Sequence, residues 1–447
     1  VPLITEVLDY NSPNIPRDEV SVIRDFIMKE LTEAAAILPE KYAGGYPNEK
    51  GRITKYACLS LKARAALYFG DYALAESTAK EVMDKGGFSL FKISSLSDAQ
   101  KKEAEEMSLY IDFAEKGIDK DEFVKGMFNY EALWHTENAN PDNPEYIMTR
   151  QYAASSWNYQ DMTRYTSMRP NQLGGWSSVT PTQNLVDAYW GVDGHSVPQL
   201  PTPEERAKAY NQIKADLDAY QKPEGEAKFI AFCQEKIKNG TLKDYKYIQE
   251  FRNRDSRMYV SILMPFKSWY ESNYGDKFVY EWIKNGNNES KTGFNFRKML
   301  SLENDANGDG QATGDYPCIR YAEILLIYAE AHTQTTGYDA ATEAALNQLR
   351  DRCGMPDVPS GLSKEEGLKL IQNERRIELA GEGFRGDDMT RYSDDYWKEH
   401  MNNVPIMTPD GDTELTMKWS SRMRLKPIPQ TAIDLNPLLA GDQNPGY

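Results

Sequence analysis

Trp157, Tyr159, Tyr165 and Trp176 stand close together in the chain, interleaved with Asn158, Arg169, Asn171 and Gln172. The set pairs flat aromatic faces with amides and a guanidinium. That chemistry captures sugars: rings stack on the C–H face of a pyranose while the polar groups bond its hydroxyls. An aromatic pair gains about 0.5–1.5 kcal/mol beyond its buried area, and a ring–sugar stack is taken as similar. Single contacts are therefore weak, and several rings in one arc are needed. Gly174-Gly175 ahead of Trp176 permits a tight turn that projects the indole outward. The alternative use of the same rings is to pin a long loop onto a scaffold. Trp269, Tyr270, Tyr274 and Trp282 form a second cluster of the same kind. The candidate ligand-binding residues are thus Trp157, Tyr159, Arg169, Asn171, Trp176, Trp269, Tyr270 and Trp282. Trp134, Trp190, Trp397 and Trp419 read as structural.

Asp305, Asn307 and Asp309, followed by Gly310, look like the front half of an EF-hand calcium loop. Oxygen ligands alternate and the glycine permits the sharp turn. The place of the bidentate glutamate is taken by Tyr316, with Asp315 one position earlier. A solvated Asx-rich turn is the competing reading, and a calcium ion here is expected to be structural. No other cofactor is expected. Acid–base glycoside cleavage needs two carboxylates at fixed separation, and sixty-eight acidic residues leave that pair open on sequence alone. No G-x-S-x-G, H-E-x-x-H, P-loop or G-x-G-x-x-G occurs, so phosphate and dinucleotide chemistry lacks its usual glycine-rich entry.

The elements that must position these side chains read as mainly helical. Arg17 to Leu38 is an amphipathic helix with Val20, Ile23, Ile27, Leu31 and Ala34 on one face, stopped by Pro39. Tyr56 to Tyr68 and Tyr72 to Asp84 form a helix pair split at Gly70-Asp71. Leu59, Ala63, Tyr72, Ala75 and Ala79 match Leu325, Ala329, Tyr338, Ala341 and Ala345 at one fixed offset. This is the pattern of a tetratricopeptide unit, in which small alanines let antiparallel helices pack closely. Two unrelated alanine-rich hairpins are the alternative. Glu365 to Ala380 and 318–337 are further helices, and 204–250 returns to helix. Residues 134–200 and 250–317 are rich in Trp, Tyr, Asn, Gly and Pro, which is loop chemistry with short strands. Arg424 to Tyr447 reads as Pro-rich and extended.

The expected fold is therefore mainly α: a tetratricopeptide-like helix-pair scaffold with a long loop-rich insert containing short strands. The repeats occupy about 15–90 and 316–390, the ligand-binding insert 91–315, and the extended C-terminal segment 391–447, all in one domain. The net charge of −16 disfavours nucleic acid, which requires a clustered basic surface. It suits a neutral or weakly charged ligand. Cys58, Cys233, Cys318 and Cys353 are widely spaced and read as buried small hydrophobes. No apolar run approaches the ~18 residues of a membrane span. The chain opens at Val1-Pro2 with no initiator methionine and reads as processed or truncated.

Seven segments in order resemble the SusD/RagB family of Bacteroidetes nutrient-binding lipoproteins. They are Arg52-Ile-Thr-Lys-Tyr56-Ala57 with Leu61-Lys-Ala-Arg64; Asn143-Pro-Glu145-Tyr-Ile147; Pro181-Thr182 through Leu185-Val-Asp187 and Asp193-Gly194; and Arg254-Asp-Ser-Arg257-Met258. Ile319-Arg320-Tyr-Ala-Glu323-Ile-Leu-Leu326 follows, then Asn373-Glu-Arg-Arg-Ile-Glu378-Leu379 with Gly383 and Arg385. Leu425-Lys-Pro-Ile-Pro429 and Gln443-Asn-Pro-Gly-Tyr447 close the series. Ser256 stands where the family has proline. The N-terminal region of the family, with its lipobox cysteine and part of the ligand pocket in several relatives, is expected to be missing from the residues before Val1-Pro2-Leu3-Ile4.

The resemblance implies a non-catalytic, lipid-anchored glycan receptor on the cell outer membrane, part of a polysaccharide utilisation system. Its partners would be an oligosaccharide or polysaccharide and a SusC-like TonB-dependent transporter. Membrane contact would run only through the N-terminal lipid. Starch, xylan, mucin and host N-glycans all stay open, and so does a peptide cargo. Two other classes remain: a tetratricopeptide-like scaffold binding peptides, and an all-α glycoside hydrolase. Arg320, Glu323, Glu374, Arg375, Glu378 and Arg385 are expected to make inter-helix ion pairs.

Overall fold

The computed structural model describes residues 2–9, 14–43, 51–152, 170–225, 227–270, 278–300 and 313–447. Its frame is a stack of helices: α1 (Val20–Ile37), α2 (Lys55–Phe69), α3 (Tyr72–Lys85), α4 (Lys120–Ala132), α5 (Tyr321–Thr335), α6 (Ala340–Cys353) and α7 (Lys364–Glu378). The two sequence copies end their turns in the same way. Asp71 caps α3 by accepting from Leu74 N, and Asp339 caps α6 by accepting from Ala341 N and Thr342 N. Gly70 and Gly337, just ahead, take positive φ of 76° and 117°, a region that only glycine enters freely. α1 packs on α2, α2 on α3, α3 on α5, and α5 on α6 and α7. The copies, far apart in sequence, are therefore neighbours in one continuous stack. Ala63, Ala66, Ala75, Ala79, Ala322 and Ala329 are fully buried along its seams. Each of these small side chains lets two backbones approach.

α1 forms as its spacing expects, with Ile23, Ile27, Leu31 and Ala34 half-buried on the face that packs on α2. It lies at the end of the stack, so only Ala35 is buried outright and Val20 is 62% exposed.

His332 ties the two copies together. Its Nδ1 lies 2.8 Å from Glu76 Oε1 on α3, and its Nε2 lies 3.1 Å from Asp339 Oδ1. Burial opposes its charge, but the bonds to Glu76 and Asp339 outweigh it and hold the imidazole pKa above its ordinary value. The folded state then binds more protons than the unfolded one once pH exceeds about 6.5. Its stabilisation is full below that value and is lost as pH rises through the raised pKa. Urea melts across this window should show stability falling with pH, and His332→Ala should flatten that part of the profile.

The sequence that separates the copies builds a second hydrophobic core, with Phe123, Met127, Phe128, Tyr259, Phe266 and Trp269 among others. The helix expected over 204–250 appears as Pro203–Ala219 and Lys228–Lys238, while α4 and Asp98–Glu106 add helix to the insert beyond the expectation. From Phe123 on, α4 is buried except at Lys125. α4 reads poorly in sequence because the buried Asn129 and Glu131 and the exposed Lys125 interrupt its apolar residues and blur a two-faced period. Eight short strands pair antiparallel as four separate two-stranded sheets among the described residues. They are β1 (Tyr146–Arg150) with β6 (Tyr316–Arg320), β2 (Ile262–Leu263) with β5 (Asn295–Phe296), β3 (Ser268–Trp269) with β4 (Phe278–Val279), and β7 (Val404–Met407) with β8 (Thr413–Met417). The C-terminal stretch is not simply extended: Gln430–Leu435 is a helical turn and a 3-10 segment spans Pro437–Asp442.

Insert and stack touch where α4 meets the end of α6. A Cβ built on Gly126 would lie 2.1 Å from Cys353 C and from Gly354 N. Backbone cannot yield as a flexible side chain would. Gly126→Ala should cost about 1–3 kcal/mol, the usual size of overpacking, read as a lowered urea midpoint.

The charged motif residues meet beneath this junction. Asp255, Glu145, Glu374, Glu378 and Glu382 face Arg257, Arg320, Arg350, Arg352 and Lys298 in one connected network, five carboxylates against five cations. All ten are buried. Arg375 pairs with Asp388 at 2.7 Å, and Arg64 with Glu323 at 2.6 Å. Arg385 differs from the expectation, donating to the Tyr396 hydroxyl at 2.7 Å. Ser256, at the first position of the helix Ser256–Ser261, uses its departure from proline: its hydroxyl donates to Cys353 O at 2.6 Å. Cys58, Cys233 and Cys353 are buried, Cys318 is half-buried, and all four are free thiols.

Candidate functional site

Pro170 to Ser177 forms a short ledge on the surface. A 3-10 turn covers Asn171–Leu173, closed by Gly174 in the left-handed conformation at φ 81°. Leu173 N and Gly175 N both donate to Pro170 O at 3.0 Å, which folds the segment back on itself. Leu173, 6% exposed, anchors the turn in the core. The next ring then points the other way: Trp176 is 56% exposed, the most open tryptophan among the described residues. Asn171 and Gln172 are exposed beside it in the chain.

A backbone-to-amide bond ties the ledge to the neighbouring segment. Glu281 N donates to Gln172 Oε1 at 3.1 Å. Burial raises the pKa of the half-buried Glu281 carboxyl, with Lys214 opposing. Amides, a carboxyl and an open indole are thus carried on two joined segments, a combination able to stack on an apolar ring face and bond hydroxyls around it.

The other candidates divide three ways. Trp157, Tyr159 and Arg169, with Tyr165, lie outside the described residues, as do Asp305, Asn307 and Asp309 of the calcium-type loop. Trp269 and Trp282 belong to the core, a correction to their reading as stacking platforms. Trp269 is fully buried, with the Arg297 guanidinium 4.9 Å from its ring centre. Trp282 is 6% exposed; its Nε1 donates to Ser290 O at 2.9 Å, and Tyr210 meets it edge-on. The reason is that β3 and β4 pair inside the core, where Ser268 and Trp269 are both buried, and the chain after β4 carries Trp282 into the same core. Tyr270, the residue after Trp269, lines a cleft of about 360 Å³ with Gln100, His135 and Asn138, and its hydroxyl donates to Glu106. Trp134 is buried, Trp397 is 9% exposed, and Trp190 donates to Glu374 at 3.4 Å. Sequence reasoning missed Glu281 and the Gln100 cleft; neither carries a local pattern, and only the tertiary pairing creates them.

A family profile described as the SusD family matches residues 144–447, more than half of the chain. Among curated proteins, SusD-like protein P2 of Formosa agariphila is 29% identical over 148 residues, spanning 32% of this chain and 28% of that relative's length. Among solved structures, a SusD-like protein from Bacteroides fragilis superposes with TM-score 0.68 at 24% identity, covering 100% of this chain and 75% of that one. A SusD-like carbohydrate binding protein, also from Bacteroides fragilis, gives TM-score 0.67 at 21% identity, covering 98% and 75%. These structural likenesses concern the fold.

Proposed function

We propose, since this chain belongs to the SusD family, that it binds oligosaccharide or polysaccharide at the cell surface, without cleaving it, and passes it to a TonB-dependent outer-membrane transporter. The observation that carries the reading is the open Trp176 indole, on the turn closed by Gly174 and near in the chain to the exposed Asn171 and Gln172 amides. The description of one structural neighbour as carbohydrate binding supports the same ligand class.

Physical reasoning supports reception over catalysis. The buried carboxylates Glu145, Glu374, Glu378 and Glu382 are each held by cations. A carboxylate clamped in this way is neither a ready proton donor nor an available nucleophile. A receptor also needs modest affinity, because its ligand must leave towards the transporter. We expect micromolar binding or weaker, about −8 kcal/mol at best. On this reading a lipid anchor holds the protein at the outer membrane; no described helix is long and apolar enough to cross a membrane.

Native electrophoresis through gels containing single polysaccharides tests the ligand class. At least one neutral polysaccharide should retard the protein relative to a sugar-free gel. Incubation of that polysaccharide with the protein for hours should release no reducing ends. Unretarded migration across plant, algal and host glycans, or steady reducing-end release, would count against the proposal.

A further inference from the structure

The C-terminal end of α7 and the helices Phe384–Arg391 and Asp394–Met401 border a pocket of about 520 Å³. That lies within the ~300–1,000 Å³ that small ligands occupy. Much of the lining is apolar, with Phe296, Leu379, Phe384, Met401 and, from β8, Met417. The pocket shares no residue with the Trp176 ledge.

Two guanidiniums also line it, Arg376 and Arg385. Both are half-buried, and both differ from the other charged motif residues in lacking an ion pair. Arg376 Nη2 donates to Asn184 O at 2.9 Å and to the same residue's Oδ1. Arg385 Nη1 donates to the Tyr396 hydroxyl at 2.7 Å, and its guanidinium carbon lies 5.1 Å from the centre of that ring. Neither meets a carboxylate among the described residues. The acidic groups around them are engaged elsewhere. Asp388 holds Arg375 at 2.7 Å and Arg391 at 3.1 Å. Asp187, whose attraction reaches Arg376, lies 3.6 Å from Arg206.

The excess charge registers on two groups of the pocket. Burial lowers the pKa of Arg376 to about 10, and the neighbouring Arg385 pushes it the same way. Burial also holds the His400 imidazole below its ordinary value, and both guanidiniums add to this against the bond to Tyr396 O. The helix Phe384–Arg391 starts at the pocket, and its cap Gly383 brings no side chain to satisfy the first amides. Helix starts favour negative charge.

A desolvated charge without a counter-ion is unfavourable, so an anion gains here. The rest of the lining selects its kind. Phosphate or sulfate would exchange its hydration for phenylalanine and methionine side chains. A carboxylate on an apolar body offers two oxygens to guanidinium donors, while the body covers the apolar surface.

We infer that this pocket binds a small organic monocarboxylate with a ring-sized apolar body, its carboxylate paired with Arg376 and Arg385 and its body against Phe296, Leu379 and Met401. The inference rests on the charge and lining of the pocket and is independent of the glycan reading.

Isothermal titration of the full chain tests it with benzoate, phenylacetate and cinnamate. The corresponding amides remove the charge and keep the body; acetate and inorganic phosphate keep a charge without the body. At least one aryl carboxylate should bind, and its amide, acetate and phosphate should each bind about tenfold more weakly or worse. Arg385→Gln removes one guanidinium whose contacts in the fold are those with Tyr396. It should weaken the carboxylate by about tenfold. Where circular dichroism shows that this variant fails to fold, Arg376→Gln is read instead, and the comparison of acid with amide needs no variant. No binding by any of the three carboxylates, an amide or phosphate bound as tightly, or an affinity unchanged by loss of the guanidinium overturns the inference.

Discussion

Glu378→Ala should destabilise the protein by about 3–5 kcal/mol or more and sharply lower its soluble yield. The Glu378 carboxylate accepts from Arg320 Nη1 at 2.7 Å, from Arg257 Nη1 at 3.1 Å and from Arg352. Burial opposes its charge, but Arg352, Arg320 and Arg257 together hold its pKa far below the ordinary carboxylate range. Truncation leaves three guanidiniums, all buried, short of a counter-ion. Breaking one partner out of a buried ion pair typically costs ~3–5 kcal/mol, because the remaining charge stays desolvated. Against a total stability of ~5–15 kcal/mol that is a large share. Urea unfolding followed by tryptophan fluorescence measures it. Lys369→Ala, which removes the exposed pair with Glu365, should leave the midpoint unmoved, since pairs in water contribute little. Equal midpoints for Glu378→Ala and wild type would show that the five-against-five network does not hold the fold.

Trp176→Ala should act in the opposite manner, leaving the fold intact and weakening glycan binding two- to tenfold. The range follows from about 0.5–1.5 kcal/mol for one stacking ring, with each 1.4 kcal/mol worth a factor of ten. Trp176 is half open to solvent, so its removal empties no core. Trp269→Ala supplies the contrast. That ring is fully buried against Arg297, and its loss should cost about 3–5 kcal/mol of stability. A sugar contact and a core ring of the same residue type are thereby separated by two measurements on two variants.

Much of the frame was legible in sequence. Helical spacing placed α2, α3, α5 and α7 to within a few residues. The shared alanines and the Gly-Asp or Gly-Tyr turns identified two copies of one unit, and Gly174-Gly175 forecast an outward Trp176. These signals are local. What escaped was set by tertiary contact. Trp269 and Tyr270 are adjacent and chemically alike, yet one is buried in the core and the other lines a cleft; no local pattern decides which. α4 carries polar residues at both ends but is buried on nearly all sides between the two cores. The charged motifs were legible as architecture, but not as one network, because Glu145, Asp255, Arg320 and Glu374 come from four distant segments.

The central claim is that an exposed ring beside amides, carried on the helical frame, captures neutral glycan. Isothermal titration of wild type and Trp176→Ala against whichever oligosaccharide the wild type binds tests it most directly. Wild type should bind at micromolar affinity or weaker, Trp176→Ala should lose two- to tenfold, and the two thermal melts should match. An affinity identical in both proteins would contradict that claim.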